Sequence, residues 1–129
     1  MKAGRTVRDI PPPLELECLR ALWELGEANV HAVRDVLCEK KPLAYTTIMT
    51  MLDRLTRKQL VARRKVGRSF LYSPLVTREA VRQKAVAELV QALFDGSPAH
   101  LLSWLQRANG RAVEFEPLAS EQRLDAALL

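Results

Sequence analysis

Between residues 45 and 68 the chain collects the side chains best suited to holding a polyanion. The block Tyr45-Thr46-Thr47-Ile48-Met49-Thr50 is followed by Arg54 and Arg57. At helical spacing Thr46, Thr47, Thr50 and Arg54 fall on one side, three and four residues apart, with Tyr45, Met49, Asp53 and Arg57 also turned outward. Threonine offers a hydroxyl to a phosphate or a base edge and a methyl to thymine, while arginine clamps guanine or a phosphate. Immediately downstream lie Arg63, Arg64, Lys65 and Arg68. With Lys58 counted, the stretch from Arg54 to Arg68 carries +7 and no acid, against a net +5 for all 129 residues. Basicity placed so locally asks for a polyanionic partner. Exposed threonines and charge runs, taken one at a time, are usually just solvated. Side by side they point to contact with double-stranded DNA.

Nothing comparable supports catalysis. His31 and His100 are the two histidines, and neither has a Cys, Asp or Glu at a metal-ligand or triad spacing that stands out. A glycine-rich phosphate loop and a nucleophile motif are both missing. Neither an enzyme, a metal site nor a cofactor is therefore expected. Cys18 and Cys38 stand singly in apolar helical patterns, as reduced core thiols of a cytoplasmic protein do, and a disulfide between them is the minor alternative. Phe94 and Trp104 read as core aromatics, with a small-molecule site between domains as their alternative use. The rival to DNA binding is a helical protein-interaction module, or a regulator that answers to a ligand.

Elements must position these residues, and the hydrophobic pattern supplies them. With 48% hydrophobic residues a real core is available, yet no stretch approaches the ~20 apolar residues of a membrane-spanning helix. The opening MKAGRTVRDIPPP lacks the apolar block of a secretory signal and reads as a flexible basic arm over residues 1–13. Leu16, Leu19, Leu22 and Trp23 recur at helical spacing, with Glu15 and Glu17 on the polar side, and Gly26 stops that helix. Asn29 is placed to cap a second helix through Cys38, with Val30, Val33, Val36 and Leu37 inward. A third helix spans residues 45–58, with Ile48, Leu52 and Leu55 inward. Two short strands follow at residues 61–65 and 69–73, turning through Val66-Gly67-Arg68. Leu71 is expected to face the core there, and Phe70 and Tyr72 the opposite side.

The whole reads as mainly α with a small β-hairpin: an N-terminal winged helix-turn-helix over residues 14–75, then C-terminal dimerisation helices within residues 76–129. A long helix over 77–94 and another after Pro98 present Val86, Leu89, Val90, Leu93, Phe94, Leu101, Leu102, Trp104 and Leu105. A monomer would leave much of that stripe exposed, so a homodimer is expected. Residues 109–129 are weaker in pattern; a last helix over 119–128 and a mobile tail are the readings there.

The segments LELECLRALWELGEANVHAVRDVL, LAYTTIMTMLDRLTRKQLV and RSFLYSPLVTREA resemble the penicillinase and methicillin-resistance repressor family of bacterial regulators. The resemblance runs from about Leu14 to Leu105. It is most specific at Glu15/Glu17 with Leu22-Trp23, at Ala44 to Thr50, and at the Tyr72-Ser73-Pro74 exit of the hairpin. It implies an N-terminal winged helix, a C-terminal dimerisation part and an inverted-repeat operator. It also implies a membrane-embedded zinc metalloprotease sensor that relieves repression by cutting the repressor. Members that are cut carry an Asn-Phe bond in the helix after the glycine-containing break. The comparable place here reads Leu102-Ser103-Trp104-Leu105, which makes Ser103, Trp104 and Leu105 the corresponding cleavage region. The clustered C-terminal cysteines of the copper-responsive relatives have no counterpart in this chain.

Overall fold

The computed structural model describes residues 6–110, and the last helix and tail read from residues 111–129 lie outside them. Three helices come first. In α1 (Pro13–Leu25) the prolines start the helix, because Pro12 caps it and Pro13 fills the first turn, where a missing N–H costs nothing. Gly26, at φ 85°, ends it and donates its N–H to the Leu22 carbonyl at 2.7 Å. The carbonyl-side oxygen of the Asn29 side chain opens α2 (Val30–Leu37) by accepting the Ala32 N–H at 2.9 Å.

The third helix, α3 (Tyr45–Arg57), begins at Ala44 without a side-chain cap and carries several threonines, which are poor helix formers. Its inward stripe holds it in place. Ile48, Leu52 and Leu55 are each 0% exposed. Burying three such side chains contributes roughly 5–9 kcal/mol at about 1.5–3 each, which is of the order of a whole domain's net stability. Short ties fix the turn between α2 and α3: the Arg34 Nε donates to the Leu43 carbonyl at 2.8 Å, and the Leu43 N–H donates to the Cys38 Sγ at 3.4 Å.

The hairpin consists of β1 (Val61–Val66) and β2 (Ser69–Pro74), antiparallel, pairing Val61 with Pro74, Arg63 with Tyr72, Arg64 with Leu71 and Lys65 with Phe70. Gly67, at φ 62°, supplies the left-handed turn position. At the open edge of β2, Ala28 forms a bridge with Tyr72, each N–H donating to the other's carbonyl at 2.9 and 2.8 Å. At the base, the Leu75 N–H donates to the Leu60 carbonyl and the Trp23 Nε1 to the Val76 carbonyl.

Two long helical segments complete the described chain, α4 (Arg78–Leu93) and α5 (Pro98–Gly110). The chain divides into two compact units, Met1–Arg82 and Gln83–Leu129, the division falling inside α4. In the second unit Asp95 and Gly96 take positive φ, and the Gly96 N–H returns to the Val90 carbonyl at 3.0 Å. The Phe94 ring meets His100 and Trp104 edge-on, at 5.8 and 6.1 Å between centroids.

Several expectations need correction. Tyr72, not Leu71, is the core residue of β2, because it shares the pleat face of Val61, which packs on the helices, while Leu71 is half-buried. The arm is not free throughout residues 1–13: Val7 and Pro11 are buried, Val7 within the helical core, and Ile10 packs against it. Glu15 belongs to the inside of α1, not its polar side. Both cysteines are free, Cys18 buried and Cys38 half-buried, so no bridge joins them. No described helix is long and apolar enough to cross a membrane.

Candidate nucleic-acid interface

Burial of Ile48, Leu52 and Leu55 turns the opposite side of α3 outward. Tyr45, Thr46, Met49, Thr50, Arg54 and Arg57 are exposed there, and Thr47 is half-buried. The row expected from spacing is therefore a continuous surface. The Thr50 hydroxyl donates back to the Thr46 carbonyl at 2.9 Å. At the start of the helix the Tyr45 ring leans on His31 of α2, 4.7 Å between centroids and tilted by 46°. Nothing in the spacing of His31 marks this stacking, which depends on how α2 and α3 meet.

The basic residues separate into committed and uncommitted groups. Arg57 pairs with Asp53 one turn earlier at 2.7 Å. Arg63 lies 3.9 Å from the other oxygen of Asp53 and 4.2 Å over the Phe70 ring. Lys58, just past α3, donates to the Glu15 carboxylate at 2.6 Å. Arg64 grips Glu27 with two nitrogens, Nε at 2.7 Å and Nη2 at 2.9 Å. That forked bond holds the Glu27 carboxyl below its ordinary range and raises Arg64 further. Among the described residues Arg54, Lys65 and Arg68 form no ion pair, and all three are exposed.

The pleat sorts the wing residues further. Arg63, Lys65 and Phe70 share the face of Val61 and Tyr72, turned toward α3, as the approach of Arg63 to Asp53 shows. Arg64 lies on the opposite face with Leu71. The expected set Arg63, Arg64, Lys65 and Arg68 is thus one cluster in sequence but two faces in space. Glu15, Glu27 and Asp53 are the acids that sequence reasoning missed as organisers of this surface. Only Asp53, four residues before Arg57, left a readable signal.

In the second unit Val86, Leu89, Leu93, Leu102, Trp104 and Leu105 are exposed, Leu93 at 71% and Leu102 at 57%. Phe94 and Leu101 are half-buried, and Val90 is buried, so it drops out of the exposed stripe. Ser103 is half-buried inside α5, where its hydroxyl accepts from Arg107 Nη1 at 2.8 Å. No group of three or more His, Cys, Asp or Glu among the described residues is placed to hold a metal ion.

Comparison with known proteins agrees with this architecture. The chain is 37% identical over 97 residues to the transcriptional regulator BlaI of Mycobacterium tuberculosis, covering 73% of this chain and 70% of that protein. The solution structure of the DNA-binding domain of the repressor BlaI superposes with a TM-score of 0.50 at 30% identity, over 57% of this chain and 93% of the domain. The hsRosR-S4 complex structure, at 21% identity and a TM-score of 0.51, over 83% of this chain and 95% of that one, shares the fold alone. A family model described as penicillinase repressor matches residues 12–120. The chain, with its winged helix-turn-helix, belongs to the penicillinase repressor family, a family of transcriptional repressors.

Proposed function

We propose that this chain represses transcription by binding an inverted-repeat operator in double-stranded DNA as a homodimer. The observation that carries the reading is the outward row of α3, Thr46, Thr47, Thr50 and Arg54, flanked by the uncommitted wing cations Lys65 and Arg68. In this reading α3 enters the major groove and the wing follows the phosphate backbone. Tyr45, Met49 and Arg57 border the groove contacts, while Arg63 steadies the wing against α3.

The second copy covers the apolar row Val86, Leu89, Leu93, Leu102, Trp104 and Leu105, with Phe94 and Leu101 at its margin. A twofold pair places two copies of α3 on half-sites roughly 34 Å apart, one helical turn. One winged helix alone makes too few contacts to compete with the excess of non-specific sites. Release then follows from separating the second unit from the first. A membrane-embedded metalloprotease sensor acting at Ser103, Trp104 and Leu105 would do so, after local opening of α5, since those residues are helical. The relatives' repressor names and the family match support the DNA-binding part of this reading.

In-vitro selection of bound duplexes with the purified chain, followed by sedimentation of the free and bound protein, tests it. An enriched inverted repeat, bound with two chains per site, is the expected result. No enrichment over scrambled duplex, or a strictly monomeric mass at micromolar concentration, overturns it.

A further inference from the structure

The fork between Arg64 and Glu27 does little for the fold. Its side chains are 62% and 36% exposed, and exposed ion pairs stabilise weakly. The adjacent bridge between Ala28 and Tyr72, with its paired backbone hydrogen bonds around a buried tyrosine, already fastens the wing to the segment between α1 and α2. The fork does change the charge that the wing offers. Arg64 is the wing cation on the face away from α3, and its charge is matched by the Glu27 carboxylate, which occupies the Nε and Nη2 edge of the guanidinium.

We propose that Glu27 is a specificity-determining residue: a built-in counter-ion that withholds Arg64 from DNA phosphates and so lowers non-specific binding. The proposal rests on the DNA-binding reading above. Its logic is electrostatic. Non-specific association is driven by the number of phosphates neutralised, in any orientation, so every free surface cation adds to it. An operator complex is oriented by α3 in its groove, and a cation on the far face of the wing adds less there. Neutralising Arg64 internally therefore subtracts more from the non-specific complex than from the operator complex. Glu27, like any surface carboxylate, is charged throughout the neutral range, and the fork to Arg64 lowers its pKa further.

The test compares the full-length chain with E27Q and with E27Q/R64Q, on the selected operator and on an unrelated duplex, over a series of salt concentrations. E27Q is expected to bind the unrelated duplex about fivefold to tenfold tighter near 0.1 M salt, with a salt slope steeper by roughly 0.9, the value of one added phosphate contact. Operator affinity rises less, so selectivity falls several-fold, and E27Q/R64Q returns both values to those of the parent. Melting temperature stays within a degree or two of the parent, roughly as expected for a weak exposed pair. Unchanged affinity and slope for E27Q, or weaker binding on both duplexes, overturns the proposal. A parent chain that binds neither duplex refutes the DNA-binding reading itself.

Discussion

Lys58 caps the C-terminal end of α3, and its ammonium meets Glu15 at 2.6 Å. Glu15 is 2% exposed and the side chain of Lys58 44%, so the carboxylate sits inside the core and its cationic partner reaches in from the surface. K58M keeps the aliphatic length and removes the charge. Breaking a fully buried pair costs about 3–5 kcal/mol, because the surviving charge is left without a partner. The exposed side of Lys58 admits water to this pair, which lowers the expectation to about 2–3 kcal/mol. For a domain of this size each kcal/mol moves the midpoint by roughly 4–8 °C, so the melting temperature should fall by about 10–20 °C. Thermal and urea unfolding followed by circular dichroism read this directly. E15L/K58M, which removes both charges, should recover most of the loss, giving a coupling of about 1–3 kcal/mol. A loss in K58M below about 0.5 kcal/mol, or a double variant as unstable as the sum of E15L and K58M, would refute the assignment of Lys58 as the partner that makes Glu15 tolerable.

Three further outcomes are expected. K65A and R68A should weaken binding to all duplexes alike and reduce the salt slope by roughly one unit each, whereas T47A should cost about 1–3 kcal/mol at particular base pairs and leave the slope unchanged, read by fluorescence anisotropy on operator variants. L93D/L102D, or truncation after Phe94, should yield a monomer by sedimentation with far weaker operator binding, and a fragment of residues 1–94 holding the operator at full affinity would remove the dimer from the mechanism. Burial pushes the Cys18 thiol up to about 12, the nearby Glu17 and Glu15 adding to the effect. The folded state therefore keeps a proton that the unfolded chain releases near pH 9, so stability should decline as pH rises from about 9 toward 12, and C18A should flatten that part of the profile.

Much of the architecture was legible because it rests on local periodicity. Ile48, Leu52 and Leu55 repeat at helical spacing, Asn29 and Gly26 carry their capping roles in their own chemistry, and Gly67 marks its turn. What escaped was decided by distant partners. Glu15 reads as a polar residue of an amphipathic helix until Lys58, 43 residues later, is brought against it. Tyr72 and Leu71 are equivalent by alternation alone, and the choice between them fell to the Ala28 bridge and the helices beneath Val61. The wing cations stand together in sequence, yet their division into Arg63 and Lys65 on one face and Arg64 on the other requires the register. Val7 shows the same limit at the start of the chain, where an apolar residue among charges gives no periodic signal of its own.

With α3 docked in the major groove as proposed, the hydrogen bond from the Thr50 hydroxyl to the Thr46 carbonyl would limit which bases this helix can read. A hydroxyl has a single proton, and here the helix itself has taken it. What Thr50 still offers outward is lone pairs and a methyl group. Lone pairs suit the amino groups of adenine and cytosine, and the methyl suits thymine, while guanine presents only acceptors in the major groove, as a phosphate oxygen does. In this rotamer Thr50 is thus deaf to guanine and to the backbone. Thr47, whose hydroxyl makes no such bond among the described residues, keeps its proton to give, so two identical residues three positions apart are set up to accept different bases.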